Sequence, residues 1–170
     1  MIFAQGLKTY HTLALLGTTD LHQYIMPYDY MADKANPKVG LSKLYTLIEK
    51  ARKEFGNTLL FDTGDLIQGS LVGDLEAEAK PLVDFQFQSI IRAYNYIGYD
   101  AVTVGNHEVT DYGLEFFDRA KRSSVFPWLS ANIRKVNDPK AFLVQPYVIL
   151  ERQIDGIPVK IGVIGVTPPQ

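Results

Sequence analysis

Apolar and polar positions along the chain fall into blocks that switch between a strand-like and a helix-like period. Thr12–Thr18 (TLALLGT) is a short apolar run that ends in polar residues, which predicts a buried strand. Lys34–Gly40 is loop-like. From Leu41 the period lengthens, and Leu41, Leu44, Leu47, Ile48 and Ala51 share one helical face. Gly56-Asn57 ends that helix, and Thr58–Phe61 predicts a second buried strand. Asp62–Pro81 is long, glycine-bearing and irregular, and loops of that length in a compact domain tend to carry function. Leu82–Ile97 predicts a helix with Phe87, Ile90, Ile91, Tyr94 and Ile97 turned inward, stopped by Gly98.

A third strand is expected at Ala101–Val104, a third helix at Tyr112–Arg122 and a short strand at Leu129–Ala131. Tyr147–Ile154 and Pro158–Val166 then flank Asp155-Gly156, a strong hairpin signal. Alternating strands and helices followed by a hairpin imply an α/β fold with a largely parallel sheet and covering helices.

Composition narrows the partners. With 170 residues, 46% hydrophobic and 21% charged, the chain can build one domain with a core. A net charge of -2 gives no basic stripe, so duplex DNA or RNA is not the expected partner. A small phosphorylated substrate is compatible with that charge, because bound cations can meet it locally. The chain has no cysteine, which excludes disulfides, zinc ribbons, iron–sulfur clusters and thiol nucleophiles. No apolar stretch reaches the ~18 residues of a membrane span. At the start, Ala4-Gln5 has the form of a signal-peptide cleavage site, so Met1–Gln5 reads either as a trimmed stub or as a plain terminus.

Three polar clusters sit just past the ends of expected strands. Asp20 and His22 follow the first. Gly64-Asp65 follows the second, with Gly69 close behind. Gly105-Asn106-His107-Glu108 follows the third. Ligands of open parallel sheets bind outside the carboxyl ends of strands, so all three clusters are delivered to one edge. Asp and Asn oxygens with His nitrogens suit divalent ions such as Mn, Fe, Zn or Mg. Asp20 and His22 lie two apart, a spacing that on extended backbone aims both to one side. A carboxylate such as Asp65 can bridge two ions ~3.5–4 Å apart, and such a pair polarises a phosphoryl group and makes hydroxide from water near neutral pH.

Each cluster has an ordinary alternative. Asp-x-His alone is more often a turn or a solvated edge, Gly-Asp at a strand end is usually a turn, and Asn-His-Glu can open a helix. Gly-Asn-His-Glu is the most specific, since a shuffled chain of this composition contains it roughly three times in ten thousand. Two of the three histidines, His22 and His107, fall in the clusters. The third, His11, precedes the first strand at the opposite edge and reads as a surface residue.

The stretches TTDLH (Thr18–His22), DTGDLIQGS (Asp62–Ser70), GNHE (Gly105–Glu108), YGLEFF (Tyr112–Phe117), SANI (Ser130–Ile133) and IGVIGVTPPQ (Ile161–Gln170) resemble, in order, the calcineurin-like metallophosphoesterases, and within them the nucleotidase branch. The resemblance implies part of an αββα sandwich and a centre of two divalent metal ions. It implies Asp20 and His22 on the first ion, Asp65 bridging, and Asn106 on the second. Asn106 and His107 would face the substrate, with His107 as general acid or transition-state stabiliser. Nucleotides are the implied substrates, 2′,3′-cyclic nucleotides and 3′-monophosphates ahead of 5′-nucleotides, with a non-catalytic binding module as the alternative. A periplasmic, cell-surface or secreted location is implied too.

Two departures stand out. Gln23 occupies the place where the family commonly has Gly after Asp-x-His. The segment after GNHE is one residue longer than the family form, which makes Asp111 either the acid that orients His107 or an N-cap of the next helix. Asp62 reads as supporting rather than ligating, and Glu108 is expected to point away from the metals. The family adds histidines from later segments, and none follows His107, so residues 1–170 read as the N-terminal part of a catalytic domain whose second half and C-terminal substrate domain lie elsewhere in the polypeptide.

Overall fold

The computed structural model describes residues 10–79 and 88–169, so the Met1–Gln5 reading and the Leu82–Phe87 part of the second expected helix lie outside the described residues. The framework is a four-stranded parallel sheet. Its strands are β1 (Ala14–Thr18), β4 (Thr58–Asp62), β5 (Ala101–Thr103) and β6 (Trp128–Leu129), in that spatial order. Between β1 and β4 run a small hairpin, β2 (Tyr28–Asp29) with β3 (Lys34–Ala35), and helix α1 (Leu41–Phe55). Part of the expected Lys34–Gly40 loop is therefore paired strand.

Two corrections concern the stretch between β4 and β5. The expected irregular segment Asp62–Pro81 contains helix α2 (Leu71–Glu78), capped by Ser70, whose side chain accepts from the Gly73 N–H. Leu71 and Leu75 face solvent at 37% and 59% exposure, so this helix shows no inward apolar stripe and its sequence carries no helical period. The following helix, α3, begins only at Ser89 and runs to Ile97, because Gln88 is extended at φ -65, ψ 137. Its Ile90, Ile91, Tyr94 and Ile97 are buried as expected.

After β5 comes a single turn of helix, α4 (His107–Thr110), then α5 (Gly113–Ser123). Beyond β6 lie a second small hairpin, β7 (Arg134–Lys135) with β8 (Asp138–Phe142), and the long antiparallel hairpin β9 (Tyr147–Ile154) and β10 (Ile157–Ile164). Leu59 and Leu60 on β4 are both fully buried although their side chains point to opposite faces, the mark of a parallel sheet covered on both sides. One cover is α3 and α5, where Tyr94, Phe116 and Phe117 pack with Trp128 beneath β5 and β6.

The hairpin is tied to both edges of the sheet. Arg152 pairs with Asp100 at the start of β5, and Asp155 in the turn accepts from Asn57 Nδ2 at 2.9 Å. At the far end, Thr167 is buried. Its hydroxyl donates to the Val104 carbonyl at 2.5 Å, and its N–H donates to Asn132 Oδ1 at 2.9 Å. The loop that opens at Gly105 is thereby pinned from the residue before it.

Candidate metal centre

The loops after β1, β4 and β5 meet at the carboxyl edge of the sheet. They are laced backbone to backbone. Asp20 N–H donates to Gly64 O at 3.1 Å, His22 N–H to Asp65 O at 3.0 Å and Gln23 N–H to Leu66 O at 2.9 Å. This ladder, rather than extended backbone, brings Asp20 and His22 to one side. Both stand in the left-handed region, at φ 53 and 43, and so does Asp65 at φ 59. Gly64 is required here. At φ 105, a Cβ on it would lie 2.4 Å from the Gly105 nitrogen, in the backbone of the facing loop.

Asp20, His22 and Asp65 each offer a ligand atom, and the three atoms lie within 4.8 Å of one another. Donors ~2.1 Å from a shared ion are at most about 4.2 Å apart, so a small side-chain rotation completes a coordinating arrangement. The donor set, two carboxylates and an imidazole, also fits a divalent ion. His22 Nδ1–H donates to the Gln68 carbonyl at 2.8 Å, which fixes the ring with Nε2 3.8 Å from Asp20 Oδ1.

The third loop brings His107. Its ring stands 5.4 Å from that of His22, edge to face. His107 Nδ1 lies 2.5 Å from Asp111 Oδ2, one helical turn away. This hydrogen bond is the main reason the imidazole pKa is raised, and it lowers the Asp111 pKa in turn. Asp111 thus faces His107. The N-cap position of α5 belongs to Tyr112, and no side chain caps it. Asn106 precedes the first turn of α4 in helical conformation, at φ -72, ψ -38, and makes no capping bond with its side chain. His11 is at the opposite edge, 2.9 Å from Asp155.

Three residues around the centre do more than the sequence disclosed. Asp62 is buried beneath it and accepts from the Thr18 hydroxyl, from Tyr94 Oη at 2.8 Å and from the Gly64 N–H at 2.8 Å. Burial outweighs these donors and pushes its pKa up to about 6. Gln23 is buried too. Its amide donates to Ile67 O at 3.1 Å and to Glu76 Oε2 at 3.2 Å, bracing the first two loops against α2. Glu108, left out of the expected site, is 1% exposed and accepts backbone N–H groups from both the second and third loops. A carboxylate next to a metal-loop histidine was the only sequence sign of it.

Residues 13–158 match the model of the calcineurin-like phosphoesterase family. Over 163 residues the chain is 43% identical to a 2′,3′-cyclic-nucleotide 2′-phosphodiesterase/3′-nucleotidase of Salmonella typhimurium, covering 93% of this chain and 25% of the relative. It is 38% identical over 166 residues to the trifunctional nucleotide phosphoesterase YfkN of Bacillus subtilis, covering 93% of this chain and 11% of that protein. The crystal structure of a calcineurin-like phosphoesterase, YfkN from Bacillus subtilis, superposes with a TM-score of 0.83 at 38% identity, over 93% of this chain and 49% of that one. The chain therefore spans a quarter or less of these two curated relatives.

Proposed function

The chain belongs to the calcineurin-like phosphoesterase family, and from that premise we propose that it supplies the nucleophile-generating half of a two-metal nucleotide phosphoesterase. The carrying observation is the convergence of Asp20, His22 and Asp65 within 4.8 Å, beside an imidazole already tied to a carboxylate. Asp20 and His22 would hold one divalent ion, Asp65 would be shared between it and a second, and Asn106 would offer an amide oxygen to that second ion. Divalent ions bound there supply positive charge that polarises a phosphoryl group and lowers the pKa of water. The protein's own part is proton management. With Nδ1 engaged by Asp111, His107 Nε2 is the ring atom free to pass a proton to the leaving ester oxygen as the P–O bond breaks. The hydrogen bond to Asp111 raises the imidazole pKa and so favours the protonated, donating form.

The proposed substrates are 2′,3′-cyclic nucleotides and nucleoside 3′-monophosphates, in keeping with the name of the Salmonella typhimurium relative. We further propose that residues 1–170 are the N-terminal part of the catalytic domain. Among the described residues the second ion would have only Asp65 and Asn106, and a neutral amide is a weak donor, so its remaining ligands would come from elsewhere in the polypeptide.

The test is metal retention in the full-length enzyme. Asp65→Asn removes a charge shared by two cations and should strip both, whereas Asp20→Asn should weaken one. Elemental analysis of the purified variants reads this directly, and two ions per chain in both variants would remove Asp65 as the bridge. Rates on 2′,3′-cyclic AMP, 3′-AMP and 5′-AMP decide the substrate class. A preference for 5′-AMP would overturn the proposed order.

A further inference from the structure

We infer that Glu108 is the positioning residue of Asp65, holding the bridging carboxylate in place without touching an ion itself. The inference rests on the metal reading of Asp65. Its own ground is a reciprocal clasp between two loops. Glu108 Oε2 accepts the N–H of Asp65 at 2.8 Å and that of Gly105 at 2.7 Å. Glu108 Oε1 accepts the N–H of Leu66 at 2.8 Å and that of Ile67 at 3.3 Å. In the other direction, Asp65 Oδ1 accepts the His107 N–H at 3.0 Å. Each loop therefore hands a carboxylate to the other's backbone.

Four amides on one buried carboxylate exceed what packing alone asks of a side chain. Three of them are consecutive, which forces residues 65–67 to turn their N–H groups to one side. That arrangement goes with the left-handed φ of 59 at Asp65, a conformation that costs an L-residue ~1–2 kcal/mol and that the clasp offsets. The same carboxylate fixes Gly105, and among the described residues the clasp engages Oδ1 of Asp65 and not Oδ2. Glu108 thus holds the backbone of Asp65, the neighbouring His107 N–H holds its carboxylate, and together they couple Asp65 to the loop that carries Asn106 and His107. Supporting groups of this kind typically change metal affinity by ~10–100-fold when altered.

The experiment uses the full-length enzyme and reads Mn affinity by calorimetry, the Mn–Mn exchange-coupled EPR signal, and the thermal midpoint of the metal-free protein. Glu108→Gln keeps the volume but turns a donor NH2 toward amides that need an acceptor. It should weaken Mn binding by ~10–100-fold and alter or abolish the exchange-coupled signal. A purely structural role would lower the metal-free midpoint and leave the EPR signal of the loaded protein unchanged, and that result overturns the inference. Should Glu108→Gln not fold, Glu108→Asp carries the test, keeping the charge and shortening the reach by one methylene. A loss of ~10-fold or more is expected there, and unchanged affinity overturns the inference equally. Asp65→Asn separates the two levels. If it leaves Mn binding intact, the metal reading of Asp65 falls and this inference with it. If it abolishes binding while the Glu108 variants do not, only the positioning role falls.

Discussion

The two edges of the parallel sheet solve one backbone problem in opposite ways. At the amino edge, the chain turns through positive φ at glycines, with Gly56 at 68, Gly98 at 78 and Gly156 at 83. At the carboxyl edge, the residues with positive φ include Asp20, His22, Gln23 and Asp65, at 53, 43, 59 and 59. An L-residue in that region costs ~1–2 kcal/mol that glycine avoids. The carboxyl edge accepts the cost at positions where a carboxylate, an imidazole or a buried amide is needed, and holds it with the backbone ladder between the loops. Asp155 at the amino edge, φ 50, is the informative exception. It opens an Asp-Gly hairpin turn, where aspartate is tolerated for local reasons. Strain shared among side chains with chemistry is thus the physical mark of the functional edge.

The comparison predicts function at one edge and not the other, and the largest effect tests that division. In the full-length enzyme, His107→Ala should lower phosphodiester hydrolysis by about 100-fold or more, as for a lost proton donor, and leave metal content nearly unchanged. His11→Ala, which removes the histidine paired with Asp155 at the amino edge, should leave the rate unchanged. Equal rates for wild type and His107→Ala on a cyclic nucleotide would erase the distinction between the edges.

Next is the packing of the carboxyl-edge loops. Gly64→Ala places a methyl 2.4 Å from the Gly105 nitrogen at φ 105, so backbone strain and a backbone clash add together. The expected loss is about 3–5 kcal/mol, read by chemical denaturation. A loss below ~1 kcal/mol would show that the two loops yield easily and that the clasp between them is soft.

The charge buried under that edge gives a pH-dependent effect of intermediate size. The Asp62 pKa is raised from 3.8 to about 6 in the folded protein. Between those values the native state holds a proton that the unfolded chain has released. The stabilisation is present below about pH 4 and is lost as pH rises through about 6. Relative to Asp62→Asn, which does not titrate, wild type should lose on the order of 2–3 kcal/mol between pH 4 and pH 7. A pH-independent difference between the two proteins would show that the carboxyl is ionised throughout.

The sequence displayed the chemistry of the carboxyl edge better than its mechanics. Asp20, His22, Asp65 and His107 were legible because strand ends in a parallel sheet deliver whatever follows them to one edge. Glu108 was not, because three of its four partners are backbone amides 41–43 residues away that no side-chain pattern encodes. Gln23 was noticed only as a departure, and its burial against Glu76 depends on α2, a helix hidden in a glycine-bearing stretch because its own leucines, Leu71 and Leu75, face outward. The two-residue strands of the small hairpins are too short for any period to show. The hairpin at Asp155-Gly156 was plain from turn chemistry and two alternating runs, and its ends came within two residues of those observed.

The smallest effect tests the amino edge on its own terms. Gly56 ends α1 at φ 68, ψ -52, and its N–H still donates to Arg52 O. A Cβ added there meets nothing within 4 Å, in contrast to Gly64. Gly56→Ala therefore isolates the conformational cost of a left-handed residue from any clash, about 1 kcal/mol. For a chain of this size that lowers the thermal midpoint by roughly 2–4 °C. Gly56→Asn should recover little of the loss, because ψ -52 lies outside the left-handed helical region that asparagine tolerates. Neither substitution should alter Mn binding or turnover in the full-length enzyme. A loss at Gly56 as large as that at Gly64 would mean that the amino edge is equally constrained. The four left-handed side chains of the carboxyl edge would then reflect a general property of this sheet's turns rather than the demands of a metal site.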